Sequence, residues 1–586
     1  MELPLRESEL NEYLDSLVDE SQQAKKEASK YWDENMRFYN GEHWQTKLPS
    51  HRIPVTANYT AVTVKRLAAM ITDTKPNIEV RSHVPELTSL CRDILSPTIR
   101  ANWDEQSYDQ KFGTGLIPKS IILGSCACAV TYDNSNGPYG NISLPVIDPR
   151  ALILDPAVTR AADVDSAEYS GYQTIMSLNQ LRYAFGDKAR AVVPDATLSR
   201  FVDRNSSATG YNNFESPGHR VFFRLPSSQG VSSYAIARAQ VQEFYIKDRR
   251  KVGELPVEVQ EHFVRNGLTL EDQAWPGGRQ IIRAGANQKI LADRANPYID
   301  NKTPIVMYDW GLQTENPWGS SEVQLIKSLQ AVLNKLSSSI IENAVKMNNN
   351  IWIGDRDALE KKEWADLNDA PGLLVKVRPG RQLRRESAPA LPGSVFQMIQ
   401  WITNMIDMLT GLVDVTQGKR PVGLVSSNAI EALNLAAQTL IRYQARKFEN
   451  FLERVGKRMI ARIFQFYSSD RMIYYLGPNG AWKEYAFKRQ QILDHMVGER
   501  PFNIFRDLDL MSFLVTPGSS MAITRVQKGQ LSMGLYSGGL IPGYQVLQSV
   551  EWDNPRETVN EARQERMMGM QTVGEPQNTK RTRVAA

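Results

Sequence analysis

Five cationic side chains crowd one short stretch of the chain: Lys376, Arg378, Arg381, Arg384 and Arg385. Such a cluster can hold carboxylates, phosphates or a nucleic-acid backbone through charge-assisted hydrogen bonds. A second basic pair, Lys419 and Arg420, follows Gln417 and Gly418 and precedes Pro421 and Gly423, in a stretch rich in helix breakers. Gly418-Lys419 invites comparison with a phosphate-binding loop, whose G-x-x-x-x-G-K-[ST] spacing lets backbone amides surround phosphates and a hydroxyl reach magnesium. Val413 and Arg420 stand where that pattern needs Gly and Ser or Thr, so the comparison fails.

Other reactive arrangements are missing too. The six histidines and the three cysteines, Cys91, Cys126 and Cys128, form no metal-ligand spacing with one another. There is no H-E-x-x-H, G-x-S-x-G or C-x-x-C. Asp148-Pro149 and Asp155-Pro156 read as turn chemistry between strands, not as paired catalytic carboxylates. Cys126-Ala127-Cys128 lies among alternating small residues, which suits a tightly packed strand with buried thiols. No catalytic residue, metal or cofactor is expected.

The composition sets wider bounds. Lys and Arg number 69 against 65 Asp and Glu over 586 residues, a formal charge of +4, so contact with DNA must be local. At roughly 150 residues per domain the length suggests about three or four structural units, and 42% hydrophobic residues can fill their cores. Three cysteines are too few for a disulfide framework and fit a reducing compartment. Residues 1–34 are acidic and polar, unlike an export signal, and no apolar run is long enough to span a membrane.

The elements that must position the basic residues follow from periodicity. Residues 5–40 read as one helix ending in an aromatic-rich turn, with Trp32, Asn35 and Tyr39 on one face. A second helix over 59–73 carries Val62, Arg66, Ala69 and Met70 one turn apart, and a strand follows at 77–81. Residues 110–155 read as strands, as do pieces of 220–310 around a charged surface excursion near 246–275.

In the middle of the chain, Ser320 or Ser321 can cap a helix running to about residue 346. A non-helical block, 348–392, then carries strand signals at 351–353 and 373–377 and contains the basic cluster. Ser394-Val395-Phe396-Gln397 fits a capping box for a helix ending near Gly411. After the breaker-rich segment with Lys419 and Arg420 comes the longest periodic stretch, Ile430 to Phe466, within a helix of about 60 Å at 1.5 Å per residue. Strands at 472–476 and 512–515, helices over 522–567 and a polar tail complete an α+β chain.

Two motifs in fixed order then resemble the portal proteins of tailed bacteriophages. One is Phe38-Tyr39-Asn40-Gly41-Glu42-His43-Trp44 followed by Arg52, Asn58 and Lys75-Pro76-Asn77-Ile78-Glu79-Val80. The other is Pro317-Trp318-Gly319-Ser320-Ser321-Glu322 followed by Leu329-Gln330-Ala331-Val332-Leu333-Asn334-Lys335. The resemblance covers about 30–565. It implies a homo-oligomeric ring, usually of twelve subunits, with double-stranded DNA on the axis, at the capsid portal vertex of the virion after assembly in the host cytoplasm.

It also assigns parts. Residues 1–319 become the N-terminal region and wing, 320–346 and 394–411 the stem helices, and 347–393 the clip. Residues 412–426 become the tunnel loop, 427–521 the long helix with the rest of the wing, and 522–586 the crown and tail. The implied partners are the terminase large subunit, head-completion or tail adaptor proteins, and major capsid and scaffolding proteins, with no membrane. Gln417, Lys419 and Arg420 would face DNA, the blander alternative being a solvated turn. Lys376, Arg378, Arg381, Arg384 and Arg385 would meet a neighbouring subunit or a partner, with DNA contact the third reading. Against this non-enzymatic reading stand a metal-dependent nuclease and another structural virion component such as a tail adaptor.

Overall fold

The structure, a computed structural model, describes residues 7–562 apart from 45–48, 50–51, 73–75, 77, 135–138, 196–236, 266, 312–314, 349–350, 360–363, 365–374, 387–389, 413–438, 477–481, 516–528, 530–531, 550–557 and 561. The fold is mixed helix and sheet, the α+β class expected.

Helix α1 (Glu7–Ser29) spaces Leu10, Leu14, Leu17 and Val18 along one face, and that stripe lies on Ile153, Tyr169, Phe244, Ile246 and Ile281. These belong to a five-stranded antiparallel sheet in the order 289–295, 279–284, 238–246, 169–177, 152–154. Residues of opposite parity, such as Ala239, Val241 and Ile282, fill a second core with Leu181 and Val192 on the other face. The short strand 152–154 is an edge, and α1 covers it. Leu154 N donates to Ser21 Oγ at 2.8 Å, while Lys25 Nζ donates to Leu152 O at 2.8 Å and Arg150 O at 3.0 Å.

The largest core surrounds the helix Thr439–Phe466, whose Phe448, Phe451, Val455, Met459 and Phe464 are buried. Against it lies a three-stranded sheet in the order 305–309, 125–129, 146–147. Cys126 and Cys128 sit fully buried in its middle strand, and burial pushes the Cys126 thiol up to about 12. Arg454 and Arg458, one turn apart, donate to Met307 O and Thr303 O and so clamp this sheet to the helix. The strand Ile78–Ser82 pairs with Met511–Val515, tying early and late parts of the chain together. A Cβ at Gly456 would stand 2.1 Å from the Phe513 ring, so glycine lets that pair lie on the long helix.

Several sequence expectations need correction. Residues 7–39 form two helices, α1 and α2 (Trp32–Tyr39), broken at Lys30 and Tyr31. In α3 (Tyr59–Thr72) Val62 is 40% exposed, and the buried face is Thr63, Val64, Leu67 and Ile71. The 59–72 region packs by burying a threonine-bearing face, which a purely apolar count ranks too low. Residues 108–123 are helical, so the strands of that region begin at Ser125. The 246–275 excursion carries its own small core of Val252, Leu255, Val259, Ala274 and Trp275.

Candidate functional site

Two helices carry the central region: Glu322–Asn348, about 40 Å long at 1.5 Å per residue, and Ser394–Leu409. The first starts where expected. Ser321 Oγ accepts from Gln324 N at 3.3 Å and donates to Ile122 O at 2.6 Å, so Ser321 is the capping residue and also ties the helix to its neighbour. Gly319, at φ +65°, seats this start: a Cβ there would lie 2.4 Å from Gly124 O. The second helix has Gly393 at its N-cap with no side-chain hydrogen bond, so the Ser394 capping box is absent. The apolar periodicity of that helix suffices without it. Ile326 and Leu333 pack on Ile402 and Ile406, with Leu329, Leu336 and Ile399 around them.

The opposite faces of the pair are also apolar but face outward. Met398, Trp401 and Met408 fall on one side of the 394–409 helix. Trp401 is 56% and Met408 59% exposed. On the 322–348 helix Leu325 and Val332, seven residues apart, are exposed as well. Large apolar side chains exposed together in this way mark interaction surfaces.

A polar row runs along the 322–348 helix at four-residue spacing: Gln330, Asn334, Ser338 and Glu342. It reads the backbone of residues 52–60. Thr60 N donates to Gln330 Oε1 at 3.0 Å, Ala57 N to Asn334 Oδ1 at 3.1 Å, Val55 N to Ser338 Oγ at 3.0 Å and Ile53 N to Glu342 Oε1 at 3.3 Å. Arg52 Nη1 closes the row on Glu342 Oε2 at 2.9 Å. Next to it Tyr59 donates to both Asp407 oxygens at 2.9 Å, so the 52–60 strap holds both helices. Burial, then the hydrogen bond and charge of Asp407, raise the Tyr59 hydroxyl above its usual range. Nothing in the sequence marked this row as a contact, because polar residues at helical spacing read as a solvated face.

At the far end of the pair, Ile351–Gly354 pairs with Leu383–Glu386 as a hairpin, with Trp352 opposite Arg385 and Ile353 opposite Arg384. The second strand therefore lies at 383–386. Residues 375–377 are not strand, and 373–374 lie outside the described residues. Lys376, Arg378, Arg381 and Arg384 are exposed along the approach to this hairpin and on it. Arg381 lies 3.7 Å from Asp357 and Arg384 3.5 Å from Glu386, exposed pairs that a partner can displace at little cost.

Gln417, Lys419 and Arg420 lie outside the described residues, as do 427–438 of the expected long helix. The described ends on either side of 413–438 do meet. A Cβ at Gly411, which has φ +74°, would stand 3.3 Å from Leu440 Cδ1.

Among the described residues no His, Cys, Asp or Glu group is arranged to hold a metal, and no helix is long and apolar enough to cross a membrane. Residues 16–494 match the family described as Phage P22-like portal protein. A comparison with curated proteins finds no match.

Proposed function

The chain belongs to the P22-like phage portal protein family, and from that premise we propose that it is a non-enzymatic subunit of a closed ring whose axial channel passes double-stranded DNA. The observation that carries this reading is the outward stripe of Met398, Trp401 and Met408 beside the inward-packed pair of helices. A stripe on one helix and a different exposed apolar row, Leu325 and Val332, on the other suit a heterologous contact. Repeated by rotation, such a contact closes into a ring. Twelve copies are the number the portal resemblance implies.

In this reading 320–346 and 394–411 are stem, 347–393 the clip, 412–426 the tunnel loop and 427–521 the long helix and remaining wing, with 1–319 the N-terminal region and wing and 522–586 the crown and tail. The meeting of Gly411 with Leu440, on either side of 413–438, supports a tunnel loop borne beside the stem. Gln417, Lys419 and Arg420 on it would offer DNA a few replaceable phosphate contacts per subunit, which permits sliding where base readout would grip. The exposed basic hairpin would receive the terminase during packaging and the tail adaptors afterwards.

Sizing and negative-stain imaging of the purified protein test the ring, with Trp401→Glu as the informative variant. The wild type should form rings with an axial channel, and the variant should fall to smaller species while keeping its fold. A wild type that stays monomeric under assembly conditions would sink the reading. Replacing Lys419 and Arg420 together by Ala should leave the ring intact and alter packaging or genome retention. Unchanged packaging and retention would remove their proposed role.

A further inference from the structure

We propose that His43 is a proton-sensitive latch on Asn334, the residue of the 322–348 helix that holds the Ala57 amide of the 52–60 strap. His43 Nε2 lies 2.7 Å from Phe38 O, and its Nδ1 lies 2.6 Å from Asn334 Nδ2. A carbonyl can only accept, so Nε2 carries the proton and donates. Nδ1 is then the bare nitrogen that accepts from the Asn334 amide.

The rest of the network allows no other arrangement. Asn334 Oδ1 accepts from Ala57 N and from Gln330 Nε2, at 3.1 and 3.0 Å. Gln330 Nε2 also donates to Ala57 O at 2.6 Å, and Gln330 Oε1 accepts from Thr60 N and Thr60 Oγ1. Backbone groups fix the direction at each end: Phe38 C=O at one, Ala57 N–H, Ala57 C=O and Thr60 N–H at the other. Protonating His43 places a second N–H against the Asn334 amide nitrogen, donor on donor. Flipping Asn334 turns its NH2 onto the Ala57 N–H and the Gln330 NH2. Gln330 cannot follow, because Thr60 N–H needs its oxygen and Ala57 C=O needs its nitrogen. Parting His43 from Asn334 frees the amide that holds Ala57, and turning Asn334 to follow the proton breaks its bonds to Ala57 and Gln330, so either response loosens the strap.

Charged neighbours do not rescue the imidazolium. The elements around it carry Asp33, Glu34 and Arg37 on α2, Glu42 beside it, Arg52 on the strap, and Lys327, Lys335 and Glu342 on the 322–348 helix. Glu34 is engaged by Lys327 at 2.7 Å, Glu342 by Arg52 at 2.9 Å and Asp33 by Arg150 at 3.0 Å, while Glu42 is exposed. The Phe38 ring stacks on His43 at 4.7 Å and favours a cation, but it supplies no acceptor.

Hydrogen exchange of the full-length protein, read by mass spectrometry on peptides covering 52–60 and corrected for intrinsic rate, tests the latch. Measurements at about pH 7.5 and about pH 5.5 bracket the ordinary imidazole range. Wild-type protection of the strap should fall roughly tenfold on acidification, the loss of about one hydrogen bond. His43→Gln keeps an acceptor for Asn334 and a donor for Phe38 O, and should hold protection constant. Asn334→Asp puts a carboxylate against the imidazole and should reverse the sign, the strap tightening as the pH falls. Equal pH dependence in the wild type and His43→Gln, or an unreversed response in Asn334→Asp, overturns the proposal.

Discussion

Asn334 Oδ1 accepts the Ala57 amide at 3.1 Å across 277 residues of sequence. The match is one of pitch. Four helical residues advance about 6 Å and two extended residues about 6.6 Å, so side chains at i and i+4 can read alternate backbone groups of an adjacent segment. The 322–348 helix does this with Asn334, Ser338 and Glu342 on the amides of Ala57, Val55 and Ile53, and α1 does it with Ser21 and Lys25 on Leu154 and Leu152. Asn334→Leu should destabilise the protein by about 2–3 kcal/mol, because it leaves the Ala57 N–H unpaired and strips Gln330 of a partner. Ser338→Ala, which removes one acceptor near the strap's outer end, should cost only about 1 kcal/mol. Urea denaturation of the two variants beside the wild type checks the order.

Two buried tyrosines should behave in opposite ways. Tyr308 OH is fully buried against Phe448 and Phe451 without a hydrogen-bond partner among the described residues. Tyr467 OH bridges Asn102 Oδ1 at 2.6 Å and Asn141 Oδ1 at 2.7 Å. Tyr308→Phe removes an unsatisfied hydroxyl and should be neutral or stabilising by up to about 1 kcal/mol. Tyr467→Phe takes the donor from Asn102 Oδ1, while Asn141 Oδ1 still accepts from Ile142 N at 2.9 Å, and should cost about 1–2 kcal/mol. Thermal unfolding of the pair gives the comparison, and a loss for Tyr308→Phe as large as for Tyr467→Phe would contradict it.

What the sequence disclosed depended on the physics each segment relies on. The helices at 322–348 and 394–409 were legible because each must bury an apolar stripe, and Ser321 announced its cap. The strap contacts were not, since Gln330, Asn334, Ser338 and Glu342 look the same whether water or backbone satisfies them. Buried Arg458 and Arg462, with half-buried Arg454, reach backbone carbonyls, a use that no spacing of cations in a sequence marks. The strand at 383–386 was hidden in the basic cluster, where propensity favours Leu373 to Val377 and pairing with Ile351–Gly354 decides otherwise. Lys376, Arg378 and Arg381 are exposed on the approach to this hairpin and Arg384 on its second strand.

Gly319 should be among the least replaceable residues at the start of the 322–348 helix. It has φ +65°, and a Cβ there meets Gly124 O at 2.4 Å, backbone that cannot swing aside. Gly319→Ala should therefore cost about 3 kcal/mol or more and reduce the yield of folded protein. Gly186 also has positive φ, +59°, but nothing lies within 4 Å of its missing Cβ. At ψ −132° Gly186 lies outside the left-handed helical region, and Gly186→Ala carries only the conformational cost, about 1–3 kcal/mol. The difference between the two, read from soluble yield and thermal midpoint, separates steric closure from backbone preference.

Lys25 gives the protein a specific alkaline signature. Burial lowers its ammonium to about 8, against the opposing pull of Asp148, and as a neutral amine it keeps the two N–H groups it uses on Arg150 O and Leu152 O. Below about pH 8 folded and unfolded chains both carry the charge, and the cost of burying it is felt in full. Between there and the ordinary lysine range the unfolded chain holds a proton that the folded chain has shed, so this residue's contribution to stability rises with pH. The thiols act in the opposite sense. Burial pushes Cys91 and Cys126 up to about 12, so they ionise first in the unfolded chain and pull stability down over the same interval. Wild-type stability is the balance of the two, and Lys25→Met removes only the rising part. Urea midpoints taken between about pH 8 and about pH 9, below the ordinary tyrosine value, should fall more steeply for Lys25→Met than for the wild type. Parallel curves would mean that Lys25 keeps its charge inside the fold.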